Sequence, residues 1–159
     1  MQIREATAQE CEEFLDRVGF GRLACVRDNE PYVVPIYFAY EAKRLYGFSA
    51  LGQKIDWMRA NPGVCVEADE VFSNNSWTCV VARGRYEELP DAAEYASKRQ
   101  QAHKLLEKRF QWWQPDWQPF RAAEQLHHGN HPFTTILYCV HVTNLTGRTA
   151  VPDGATWIP

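Results

Sequence analysis

The sequence predicts a mainly β protein with helices (α+β), an antiparallel barrel of six strands, on three observations. Six short runs rich in β-branched, aromatic and other apolar residues are separated by turn chemistry. The fifth run is long and carries Gly84 in its middle, which suits the bend or bulge of a tightly curved barrel strand. Helical patterns fall near the ends and once between the third and fourth runs, so the strict alternation of a doubly wound sheet is missing.

In chain order, Thr7-Ala8-Gln9-Glu10 reads as a capping box, and Cys11, Phe14, Leu15 and Val18 follow on one helical face up to Gly19. Strands are predicted over Gly21–Arg27 and Tyr32–Tyr40, joined by a turn at Asp28-Asn29-Glu30-Pro31. Pro35 cannot donate to a ladder, so the second strand is either an edge or bulged there. A third strand covers Leu45–Ala50, and a helix runs from Gly52 to Ala60 until Asn61-Pro62 stops it. Val64–Ala68 is a fourth strand ending at Asp69-Glu70, Val71–Ser76 a polar loop, and Trp77–Leu89 the fifth strand. A long helix over Ala92–Phe110 precedes an unusual stretch, Gln111–Pro132, with three tryptophans and three histidines. Phe133–Asn144 is the sixth strand and Leu145–Pro159 a tail, all within one domain over residues 1–159.

The composition narrows the function classes. With 45% hydrophobic and 23% charged residues, the chain is globular, and a formal charge of −3 does not suggest a nucleic-acid partner. No run reaches the roughly 18 apolar residues of a membrane span and MQIREATAQE is no signal peptide, so a cytoplasmic location is expected. The five cysteines form no C-x-x-C pair, which favours reduced thiols packed as small hydrophobes over a zinc site or catalytic thiol. His127, His128 and His131 have metal-ligand spacing, but Gly129, Asn130 and Pro132 break the helix that would align them. Asp69-Glu70 is either a solvated pair or a general acid/base pair. Trp112, Trp113 and Trp117 either cover a ligand cleft or pack against a partner, and Trp77 is either core or site.

The chemistry-bearing stretch is Ser49-Ala50-Leu51-Gly52-Gln53-Lys54. It supplies a hydroxyl, a glycine for close backbone approach, a helix start and a cation, which together can hold a phosphate. The order Gly21-Arg22-Leu23-Ala24, Pro31-Tyr32-Val33-Val34-Pro35, Leu45-Tyr46, Gly52-x-Lys54-x-Asp56, Asn61-Pro62, Gly84-Arg85-x-Glu87-x-Leu89 and Leu145-Thr146-Gly147-Arg148 adds a further signal. This order resembles the pyridoxamine 5′-phosphate oxidase-like FMN-binding split barrels, and most of all their nitroimidazole-resistance, nitroreductase-like branch.

The resemblance implies a six-stranded split barrel that forms a homodimer with FMN in clefts between the subunits. Pro35, Ile36, Tyr37 and Phe38 would line the isoalloxazine, mainly through backbone. Ser49, Ala50, Gly52, Gln53 and Lys54 would hold the ribityl chain and phosphate, and Trp77 and Arg83 would complete the cleft. It further implies an oxidoreductase passing electrons from a reduced nicotinamide to a small acceptor. The rival reading is a non-catalytic flavin-binding or sensing module, or a barrel binding haem or a deazaflavin. Two departures bear on the reaction. Gln53 stands where that branch commonly has histidine, and Gln is no acid or base. The segment TGRTAVPDGATWIP lacks the arginine- and histidine-bearing grip of true pyridoxamine-phosphate oxidases, which argues against vitamin B6 oxidation.

Overall fold

The computed structural model describes residues 1–110 and 135–154. The elements run β1 (Gln2–Glu5), α1 (Ala8–Val18), β2 (Phe20–Arg27), β3 (Glu30–Tyr37), β4 (Ala39–Glu41) and β5 (Arg44–Ala50). They continue with α2 (Gln53–Ala60), β6 (Gly63–Ser73), β7 (Ser76–Glu88), a 3-10 turn at Ala93–Tyr95, α3 (Ala96–Phe110) and β8 (Thr135–Val151). The six expected strands are all present, and β1 and β4 are additional, so the described residues hold an eight-stranded antiparallel sheet.

The strand order is β3-β2-β6-β7-β8-β5-β4, with β1 on β8. β3 and β4 stand at opposite ends of that order, yet Phe38 alone separates them in the chain. The sheet must therefore curl until its ends meet, which closes a split barrel around one core. Phe38 is 1% exposed, and its amide donates to the Gly19 carbonyl at 2.9 Å. The strand expected over Tyr32–Tyr40 is thus two strands joined at Phe38.

β8 pairs along one edge with β7, and its other edge is shared between β5, over residues 135–141, and β1, over residues 148–151. α1 packs where the two leave β8 open, and a Cβ on Gly147 would lie 2.7 Å from the Cys11 sulfur. The expected tail is therefore strand as far as Val151, because β7 pairs with it along one edge and β1 joins on the other from Arg148.

α1 is built as its sequence requires. The Thr7 hydroxyl accepts from the Glu10 amide at 3.2 Å, the Glu10 carboxylate accepts from the Thr7 amide at 2.7 Å, and Gly19 closes the helix at φ 65°. Arg4 also donates to Glu10 at 2.9 Å, and that hydrogen bond first, then the Thr7 amide, depresses the Glu10 carboxyl to about 2. A depressed carboxylate stabilises the fold above its ordinary pKa, and the effect is lost as pH falls from the usual Glu range toward 2. Glu10→Gln is accordingly expected to melt below wild type at pH 7, and the gap to close by about pH 2 in an acid series of thermal melts.

The β2–β3 hairpin turns on two residues, Asp28 (φ 53°) and Asn29 (φ 65°), types that tolerate the left-handed region. The β4–β5 hairpin makes the same turn with Ala42 (φ 48°) and Lys43 (φ 62°), which are poorly suited to it. Replacing Ala42-Lys43 by Asn-Gly is expected to stabilise the protein by about 1 kcal/mol in urea titrations.

β6 continues through Asp69-Glu70 to Ser73, with a register shift between Val71 and Ser73. The two carboxylates point to opposite faces and each meets an arginine: Asp69 meets Arg22, and Glu70 meets Arg17 at 2.6 Å. Placed on opposite faces, they do not form an acid/base pair. The main core fills the barrel around Leu23, Val66, Val80, Tyr138 and Val140. A second cluster seats α3 on the outside of β4, β5 and β8 through Leu106, Ala102, Tyr46 and Cys139. All five cysteines are free, and burial pushes the Cys11, Cys25 and Cys65 thiols up and Cys139 to about 12. Among the described residues, no helix is long and apolar enough to cross a membrane.

Candidate cofactor site

The first wall is β3. In a pleated strand neighbouring side chains alternate, so Pro31, Val33, Pro35 and Tyr37 face outward while Ile36 is buried. The bond from the Phe38 amide to Gly19 fixes which backbone groups face β2. These are Tyr32, Val34, Ile36 and Phe38, leaving the odd-numbered residues aimed at the free edge. Pro31 and Pro35 thus occupy positions whose missing N–H would point away from the sheet, and the β2–β3 register runs unbroken. The edge alternative for Pro35 holds, and the bulge does not. Among Pro35, Ile36, Tyr37 and Phe38, only Pro35 and Tyr37 offer side chains to the surface, and Tyr37 packs on Phe20 with centroids 4.9 Å apart.

The second wall is the end of β5 with the start of α2. β3 touches β5, and the chain runs from β3 through Phe38 into β4, which pairs with the first half of β5, so the split between Pro35–Phe38 and the end of β5 forms a seam that leads to α2. The Ser49 hydroxyl donates to the Ala50 carbonyl at 2.9 Å and keeps its lone pairs. Gly52 is the N-cap of α2 and provides no side-chain hydrogen bond, while Asp56 donates the first intrahelical bond back to Gly52. The Gln53, Lys54 and Ile55 amides therefore have no helical acceptor. Gly52 is in extended backbone that any residue can adopt. What its lack of a side chain leaves is space, since a Cβ there would meet nothing within 4 Å.

Lys54 stands out electrostatically. It is half-buried, desolvation lowers its pKa, and among the described residues no carboxylate pairs with it. It also sits at the positive end of a helix, where a cation is disfavoured. α2 holds it there by packing on β2, with Trp57 against Tyr32 at 5.5 Å and Asn61 donating to the Val26 carbonyl at 3.1 Å. Uncapped amides and an unpaired, partly desolvated ammonium together fit a phosphate. The sequence offers Tyr32 and Asn61 as motif residues but not as supports of the site, and Trp57 not at all; the alternation of β3 and the Asn-Pro stop are the signals that point to them.

Trp77 and Arg83 do not join this seam within one chain. Both lie on the outer face of β7, Trp77 half-buried between Val71 and Ala150, and Arg83 exposed between Cys65 and Asn144. Six residues of strand separate them by about 20 Å. Trp77 is thus outside the barrel core, and Arg83 has no ion-pair partner among the described residues. Concavities of about 400 and 460 Å³ lie elsewhere, beside β1, β7 and β8 and beside α3. The tryptophans and histidines of Gln111–Pro132 lie outside the described residues. Among those described, no three His, Cys, Asp or Glu side chains gather as a metal set.

A family model described as pyridoxamine 5′-phosphate oxidase matches residues 7–149. An uncharacterized protein of Rhizobium meliloti is 41% identical over 150 residues, covering 94% of this chain and 97% of its own. The solved structure of a FAD-binding protein from Mesorhizobium loti is 38% identical with a TM-score of 0.74, over 96% of this chain and 99% of that one. A Bacteroides thetaiotaomicron structure, provisionally assigned to 5-nitroimidazole antibiotic resistance, shares the fold at 20% identity and a TM-score of 0.66. It covers 94% of this chain and 89% of its own.

Proposed function

Because the chain belongs to the pyridoxamine 5′-phosphate oxidase family, we propose that it binds a flavin nucleotide, FMN, with the phosphate at the start of α2. The observation that carries this reading is Lys54, half-buried and without a carboxylate partner among the described residues, beside the uncapped amides of Gln53, Lys54 and Ile55. FAD is the second reading, favoured by the FAD-binding protein of Mesorhizobium loti, and both nucleotides share the riboflavin 5′-phosphate that this seam would hold. A bound flavin supplies hydride or electron transfer. The chain's own part is to hold the phosphate at Lys54, to offer the backbone near Pro35–Phe38 to the ring edge, and to orient the ring along β3. The reaction proposed is electron transfer from a reduced nicotinamide to a small acceptor. Gln53 is exposed at the helix start and can hydrogen-bond but not move a proton as an acid or base.

The proposed assembly is a homodimer through the outer face of β1, β2, β3, β6, β7 and β8. That face presents Val33, Val71 and Ile3, at 58%, 67% and 50% exposure, along with Val81 and Trp77. A second subunit there would bring its own Arg83 or Trp77 toward the seam. Light scattering is expected to give twice 18.4 kDa, and Val81→Glu, which places a carboxylate opposite Glu67, to give a monomer with weakened flavin binding. A wild-type monomer that still binds flavin tightly would overturn this arrangement.

The absorption spectrum of the purified protein, followed by chromatography of the released chromophore, tests the cofactor. Oxidised-flavin bands that bleach with NADH or NADPH support the oxidoreductase. Bands that do not bleach support a binding module. A haem-type Soret band, or no response to added FMN or FAD, sinks the flavin reading.

A further inference from the structure

Where α3 leaves the outer sheet uncovered, cations gather. In the antiparallel registers, Arg44 of β5 stands opposite His141 of β8, which stands opposite Arg85 of β7. Residues directly opposite project to the same face, so the three form one row across adjacent strands, which Glu41 of β4 extends opposite Arg44. The next row is Tyr46, Cys139 and Glu87, on which α3 is seated. α3 adds Lys98 and Lys104, with Ser97, Gln100 and Gln101, around a concavity of about 460 Å³ floored by Tyr46.

The carboxylates nearby are already engaged. Glu87 binds Lys98 at 2.6 Å and also His141, and Glu41 accepts from Gln101 at 2.5 Å. Arg44, Arg85 and Lys104 have no ion-pair partner among the described residues. This chain is acidic overall at −3, so the concentration of positive charge is local. Arg44 and Arg85 are two strand spacings apart, about 10 Å, which is wider than one phosphate group and suits two or three in a row. A concavity of this size suits a small molecule rather than a nucleic-acid strand, which the net charge also disfavours.

We propose that this basin is a second anion site, taking a small molecule that carries a di- or triphosphate. It lies at the other end of β5 from Ser49-Ala50, about 20 Å along the strand, and is independent of the flavin reading.

Calorimetric titration of the full chain, saturated with flavin where it binds, with inorganic tripolyphosphate tests the proposal. Saturable one-to-one binding is expected, at least ten-fold tighter than orthophosphate. Arg44→Gln with Lys104→Gln is expected to weaken it at least ten-fold, and Lys54→Gln to leave it within two-fold. Circular dichroism checks that the exposed double variant folds, and Arg85→Gln serves as a second variant if it does not. Absence of saturable binding, an affinity the basin variants do not change, or equal binding of a single-stranded oligonucleotide would each overturn the site.

Discussion

Replacing Lys54 by alanine is expected to weaken flavin binding by about 1.5–3 kcal/mol, the scale of a hydrogen bond to a charged group, or roughly ten- to 150-fold in Kd. The ammonium is partly removed from water, has no carboxylate partner among the described residues, and sits at the positive end of α2. Each circumstance raises its free energy in the ligand-free protein, and each is relieved by an anion held against the same amides. A companion variant separates this role from a structural one. Lys54→Met keeps the packed stem and removes the charge, so the ligand-free protein is expected to melt at a higher temperature while flavin affinity falls. Fluorescence-quenching titration and thermal melts read the two effects. An unchanged Kd would remove Lys54 from the phosphate site whatever happened to the melting temperature.

The largest stability effect is expected at Gly84. The β7–β8 register shifts between Arg83 and Gly84, and a Cβ there would lie 2.3 Å from the His141 carbonyl oxygen and 2.8 Å from a Val140 methyl. The first obstacle is backbone of the partner strand and cannot rotate away, so Gly84→Ala must push β7 off β8 where the barrel bends. A loss of about 3 kcal/mol, the upper end for forced overpacking, is expected from urea-induced unfolding. A loss under about 0.5 kcal/mol would mean that the bulge gives way freely.

Legibility from the sequence followed the range of the physics involved. The six principal strands and α1 rest on alternation, caps and turn residues, which are local signals, and all are present. Gly84 likewise announced the bulge. What stayed hidden depended on partners distant in the chain. Asp69-Glu70 read as a strand end because two adjacent carboxylates look solvated, but Arg17 and Arg22 neutralise them and β6 runs on. Leu145–Val151 read as tail because only β7 and β1 on either side make it a strand. Lys54 was visible as a helix-start cation, whereas its burial comes from α2 lying on β2. Trp77 and Arg83 are grouped by family position, and within one chain Trp77 lies at the start of β7 and Arg83 in its middle.

The single residue between β3 and β4 also has a consequence for how the molecule assembles. Phe38 is a covalent latch: it fastens the two ends of the strand order with no loop to close. The costly step lies elsewhere, in bringing β8 to β5, where Arg44 meets His141 across almost a hundred residues of chain. Such distant pairing is slow to find, so refolding in milliseconds to seconds is expected, limited by the arrival of β8. A chain nicked between Tyr37 and Ala39 would keep every ladder and lose the latch, leaving the shared core to hold the two ends together.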